Sequence, residues 1–100
     1  MPIPKLTPAE VSAALAGLPD WTADDAALRR TYRFRDFVEA FAFMTAAALR
    51  VQEMDHHPEW SNVYDRVNVT LTTHDAGGIT ARDVELAGKL EALAARWPKR

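Results

Sequence analysis

"EWSNVYDRVNVTLTTH", residues 59–74, decides how the chain folds. From Arg66 onward apolar and polar side chains alternate. Val67, Val69, Leu71 and Thr73 point one way, and Asn68, Thr70, Thr72 and His74 the other. A period of two belongs to a strand with one buried face. Residues 59–63 supply a partner strand, with Asn62 or Asp65-Arg66 marking the turn between them. The segment predicts an antiparallel hairpin and puts His74 on the polar face of its second strand, or at that strand's end.

The stretch just before it, "DHHPEW" at residues 55–60, is a helix stop. A residue preceding proline avoids the α region, so the upstream helix must end near His57. That helix starts at a capping Asp36 and runs from about Phe37 to Met54. Phe37, Phe41, Met44, Ala48 and Val51 lie at helical spacing, with Ala40 and Ala47 beside them, and read as its core face.

Working further outward, "TPAE" at residues 7–10 is a capping box, with Thr7 as cap, Pro8 at the first helical position and Glu10 closing the box. Val11, Leu15 and Leu18 share a face. Gly17 is placed to end this helix in a left-handed conformation, and Pro19 cannot continue it. "DWTADDAALRRTYRF", residues 20–34, reads as strand, polar turn, strand. Trp21 anchors the first strand; Leu28, Tyr32 and Phe34 form the inner face of the second, with Arg30 the exception there. At the other end, Gly77-Gly78 allows positive φ or close approach by another backbone or a ligand. Thr80 and Asp83 form a second box, and Leu86, Leu90, Leu93 and Trp97 stripe a last helix that Pro98 ends.

The order is α-β-β-α-β-β-α. It predicts an α+β, two-layer domain, a four-stranded antiparallel sheet with three helices on one face. An edge-to-edge or helix-mediated dimer would cover an exposed sheet edge. One hundred residues fit a single domain, 1–100, with residues 1–6 a loose N-terminal tail. A net charge of −2 with no basic block argues against nucleic-acid binding. The absence of cysteine excludes disulfides, thiolate metal sites and cysteine nucleophiles. "MPIPKLTPAE" lacks the apolar core of a signal peptide, and the apolar run 37–49 is interrupted by Glu39 and too short to span a bilayer. These features lead us to expect a cytoplasmic protein without membrane contact.

The histidines carry the chemistry. There are three, His56, His57 and His74. Adjacent histidines diverge and rarely share one metal ion. A site of His56, His74 and one carboxylate has little support from spacing, so no metal is expected. Acid–base work fits better. His56 sits where unpaired helix carbonyls carry partial negative charge, with Asp55 beside it. His74 lies away from that end and can act as base. The bland alternative is that all three are capping and hydrogen-bonding residues. Trp60 is either hairpin core or a wall for a planar ligand. Asp83 is a first-turn helix residue that could also serve His74, if the Gly77-Gly78 loop brings the two together.

"EMDHHPEWSNVYDRVNVTLTTHDAGGITARDVELA", residues 53–87, together with residues 21–44, resembles the pterin-4a-carbinolamine dehydratases. The family pattern is an acidic or related residue, three residues, His-His-Pro, an aromatic, a histidine and an aspartate. It falls here on Gln52, His56, His57, Pro58, Tyr64 with Trp60 nearby, His74 and Asp83. Gln52 stands where the family usually has glutamate. Glu53 is one residue, about 100° of helix, out of place. The amide can still donate to and accept from a pterin edge.

The resemblance implies dehydration of 4a-hydroxytetrahydropterin to quinonoid dihydropterin, in tetrahydrobiopterin recycling after an aromatic amino acid hydroxylase. No metal, nucleotide or other cofactor is implied. It implies His56 as principal acid at the hydroxyl, His57 positioning and assisting, and His74 as base or second proton carrier oriented by Asp83. Gln52, Pro58, Trp60, Asp75 and Asp83 would hold the pterin. The implied fold matches the one read above, and the implied assembly is a homodimer or homotetramer. The rival reading is a non-catalytic dehydratase-like binding, dimerisation or assembly factor; diverged relatives of that kind tend to lose the histidines that this chain keeps.

Overall fold

A computed structural model of the chain describes residues 3–97. The elements are α1 (Pro8–Leu15), β1 (Thr22–Ala23), β2 (Leu28–Arg33), α2 (Phe37–Met54), β3 (Glu59–Val63), β4 (Arg66–Leu71), a 3-10 turn (His74–Ala76) and α3 (Ala81–Ala94). The strands form one antiparallel sheet in the order β1-β2-β4-β3. The α+β order read from the sequence is therefore the observed one.

The registers agree with the alternation. Leu28 pairs with Leu71 and Tyr32 with Val67, all four buried. Arg29 pairs with Thr70 and Thr31 with Asn68, on the open polar face, where Thr31 and Asn68 are also bonded through their side chains at 2.8 Å. Burial of the first set holds the register, because a slip of one residue would turn every apolar side chain outward. β3 and β4 close in a two-residue turn at Tyr64-Asp65, Tyr64 taking φ 49°. Asn62, a candidate turn residue, lies in β3 and clips the turn by donating to the Tyr64 and Arg66 carbonyls.

α2 spans the expected residues and starts at the Asp36 cap, but it presents a different face. Phe37 and Phe41 are 47% and 54% exposed, and Ala48 is exposed too. The buried stripe is Ala40, Phe43, Ala47 and Val51, packed with Leu86, Ala87 and Leu90 of α3 over the sheet. Apolar residues occupy both stripes, so periodicity cannot choose between them. Close packing does, because two alanines let the helix sit near its neighbours around the single large ring of Phe43. α1 joins the same core through Val11 and Leu15.

The ends differ from expectation in two places. Gly17 is not left-handed; α1 ends in a tight turn in which the N–H groups of Ala16, Gly17 and Leu18 each bond a carbonyl three residues back. The left-handed stop belongs instead to Asp55, φ 50° and ψ 45°, at the end of α2. Aspartate tolerates that conformation better than most side chains. β1 has only two residues, with Trp21 buried just before it. Leu6, inside the stretch read as a tail, donates its N–H to the Ile79 carbonyl at 2.8 Å and packs on the core. Met1, Pro2 and the helix-ending Pro98 lie outside the described residues.

Arg30 faces the helices because α3 offers it a carboxylate. One oxygen of Glu91 accepts from Trp21 Nε1, Arg30 Nε and the Tyr32 hydroxyl at 2.8, 2.9 and 2.8 Å. The Arg30 guanidinium also lies 4.1 Å from the Tyr32 ring centre. Burial opposes ionisation of Glu91, but the bonds from Tyr32, Arg30 and Trp21 outweigh it and hold the carboxyl below its ordinary range. A carboxyl depressed in the folded state stabilises above its unfolded pKa, and that contribution is lost as pH falls through the folded value. Glu91→Gln should therefore cost about 1–2 kcal/mol at pH 7, after discounting for a side chain about one-third exposed. In urea titrations the gap to the unsubstituted protein should close as pH drops below about 4.

Candidate active site

Two helix ends and one strand end build the site. Asp55, left-handed, reverses the chain, and the His56 N–H bonds back to the Val51 carbonyl at 3.2 Å. Arg82 of α3 donates to the Met54 carbonyl and ties down the same end. The reversal sends adjacent histidines to opposite environments. His56 is buried at 8% exposure, and the His57 side chain is 60% exposed, its Nδ1 3.9 Å from Asp55.

Beneath them lies the N-terminus of α3. Thr80 and Asp83 make the capping box read from the sequence. Asp83 is fully buried. Its Oδ2 accepts from the Thr80 N–H at 2.8 Å and from the Thr73 hydroxyl at 2.9 Å, and its Oδ1 meets His56 Nε2 at 2.6 Å. A buried carboxylate is tolerated when its lone pairs are taken in this way, and a helix N-terminus favours the negative charge. The histidine that Asp83 meets is thus His56. His74, expected beside Asp83, has its Nε2 3.3 Å from Glu59 Oε1 and a side chain 80% exposed.

β3 and β4 run antiparallel, so the start of one and the end of the other share an end of the sheet. Glu59 opens β3 opposite Thr70, and Leu71 closes β4. His57, two residues before Glu59, and His74, three after Leu71, therefore flank the same end. A cleft of about 390 Å³ lies there on the open face, lined by Arg29, Glu59, Thr70, Thr72, His74 and the Gly77-Gly78 backbone. Gly77 has φ 76°. At Gly78 an added Cβ would stand 2.7 Å from Lys5 Cε and 3.2 Å from the Asp25 carbonyl oxygen. Both readings of the glycine pair, positive φ and close approach, hold here.

The other candidate residues spread around this end. Gln52 and Asp75 are exposed, Pro58 is half-buried, and Trp60 is half-buried against the core beside its pair Val69. Among the described residues, no three of His, Cys, Asp or Glu converge to hold a metal ion. Nor is any helix long and apolar enough to cross a membrane. Sequence reading missed Glu59, Thr73 and Arg82. Glu59 could have been found by carrying the hairpin register outward to His74, whereas Thr73 and Arg82 depend on how α3 docks.

The family model for Pterin 4 alpha carbinolamine dehydratase matches residues 4–93. The chain is 56% identical over 91 residues to a protein of Solibacter usitatus, covering 91% of this chain and 96% of that one. It is 55% identical over 94 residues to one of Rhizobium rhizogenes, covering 92% and 93%. Both bear the name "Putative pterin-4-alpha-carbinolamine dehydratase". The crystal structure of a transcriptional coactivator/pterin dehydratase from Brucella melitensis superposes with a TM-score of 0.87 at 46% identity, covering 90% of this chain and 98% of that one.

The contrast between buried and exposed histidines is testable as stability. His56→Ala, which strips a partner from a buried carboxylate, should cost about 2–3 kcal/mol in urea denaturation. His74→Ala should stay within about 0.5 kcal/mol. Equal losses would contradict the burial described here.

Proposed function

The chain belongs to the pterin-4a-carbinolamine dehydratase family, and we propose that it is a hydro-lyase converting a 4a-hydroxytetrahydropterin to quinonoid dihydropterin and water. The observation that supports the proposal is that two exposed histidines, His57 and His74, flank the same end of the β3–β4 pair, His74 lining the cleft there.

The reaction breaks the C4a–O bond, with a proton delivered to the leaving hydroxyl and one taken from N5. It is redox-neutral. Histidine suits both tasks near neutral pH, and each positioned proton transfer is worth about 10²–10⁴-fold. In this reading His57 delivers the proton and His74 takes the other. His74 Nε2 lies 3.3 Å from Glu59 Oε1, a contact that favours the proton on Nε2 and leaves the Nδ1 lone pair as base. His56 receives a different part from the one the resemblance implied. We assign it a supporting part: it is largely buried, at 8% exposure, and its Nε2 lies 2.6 Å from Asp83 Oδ1, so it holds the helix end that presents His57. Gln52, exposed on the last turn of α2, would meet the amide-like pterin edge; Pro58, Trp60 and Asp75 would shape the surrounding wall.

The setting we infer is the cytoplasm, in tetrahydrobiopterin recycling downstream of an aromatic amino acid hydroxylase. We also infer a homodimer or homotetramer. Phe37, Val38, Phe41 and Leu49 stand exposed on α2, and Val63 and Tyr64 at the β3–β4 turn. Apolar side chains displayed together on one helix point to a protein contact. The same surface favours a second reading, a binding role; the Brucella melitensis protein is called a transcriptional coactivator as well as a pterin dehydratase.

The activity test generates the carbinolamine in situ and follows the quinonoid product by absorbance. The protein should accelerate its formation above buffer, and His57→Ala and His74→Ala should each lower kcat about 10²-fold. A rate equal to buffer would end the enzyme reading. For assembly, Phe41→Asp should lower the mass seen by light scattering to that of the monomer. An unchanged mass would remove α2 from the interface.

A further inference from the structure

We propose that Thr73 is a positioning residue of this site, its hydroxyl latching the turn that carries His74 to the buried Asp83–His56 pair. The inference rests on the dehydratase reading above and adds to it the device that sets the reach between His74 and His57.

The direction of every bond around Thr73 follows by elimination. A carboxylate only accepts, so the Thr73 hydroxyl donates to Asp83 Oδ2 at 2.9 Å. Its single proton is then spent. In the 2.8 Å contact between the two hydroxyls, Thr80 must donate to Thr73. Thr80 Oγ1 in turn accepts from the Arg82 N–H at 3.3 Å. The result is an ordered chain, Thr80 to Thr73 to Asp83, ending on the oxygen pair that also receives His56 Nε2.

The backbone of Thr73 is used as fully. Its N–H donates to the Gly78 carbonyl at 2.9 Å, and its carbonyl accepts from Ala76 and Gly77 at 3.0 and 3.1 Å. Those bonds close the turn that holds His74. Thr73 is therefore the joint between that turn, through its main chain, and the helix-end histidines, through its side chain. Removing the hydroxyl leaves the turn closed but untethered from Asp83. A shift of about 1 Å between proton carriers can lower a rate by as much as about 10²-fold.

The test compares Thr73→Val, which keeps the shape and deletes the hydroxyl, with Thr73→Ser, which keeps the donor. Thr73→Val should lower kcat about tenfold with KM within about twofold, and Thr73→Ser should return kcat to within about twofold. In ¹⁵N NMR, Thr73→Val should also move the ring signals of both His56 and His74, and Thr73→Ser should not. Loss of packing alone would not be rescued by serine in this way. If the valine variant does not fold, Thr73→Cys against Thr73→Ser makes the same comparison, a weak sulfur donor against a strong one. Unchanged kcat and unmoved rings in the valine or cysteine variant would overturn the latch. If the unsubstituted protein shows no dehydratase activity, the functional reading falls, and the ring signals still decide whether Thr73 couples the two histidines.

Discussion

The carboxylate of Asp83 is the point on which the site depends. It is fully buried and it collects bonds from three separate segments: His56 after α2, Thr73 after β4, and Thr80 at the start of α3. An unpaired charge there would be costly, so the fold gains most when all three segments arrive together. Satisfying one buried group thus fixes the relative positions of a helix C-terminus, a strand end and a helix N-terminus.

The consequence reaches the chemistry through chain neighbours. His57 follows His56, and His74 follows Thr73, so the two exposed histidines hang on residues that Asp83 holds. The antiparallel pairing of β3 with β4 brings both to one end of the sheet. Arg82 on the Met54 carbonyl and the close approach of Gly78 to Lys5 and Asp25 reinforce the same end. A buried frame carrying exposed histidines at its rim would suit acid–base work, because reacting groups must be placed closely and still reach solvent to recover their protons.

Much of this was legible in the chain. The strict alternation from Arg66 to Leu71 predicts β4 and its buried face, because a period of two turns one set of side chains inward. Both capping boxes, Thr7 with Glu10 and Thr80 with Asp83, are local chemistry and appear as read. The face of α2 was not legible, since Phe37 and Phe41 compete with Ala40, Phe43 and Ala47 and only packing against α3 chooses. The partner of Asp83 was not legible either. His56 and His74 are both compatible with the sequence, and the distinction rests on the left-handed turn at Asp55 that swings His56 inward. The family resemblance supplied the substrate class and pointed to the three histidines; the part each one plays depends on burial, which no motif records.

The central claim is that His57 and His74 meet the pterin while His56 stays with Asp83. The most direct measurement is a crystal structure with a stable 7,8-dihydropterin bound. The account predicts the C4a–N5 edge of the ring within hydrogen-bond reach of His57 and His74, and the His56–Asp83 bond intact. A pterin seated against His56 with that bond broken, or bound away from both exposed histidines, would contradict it.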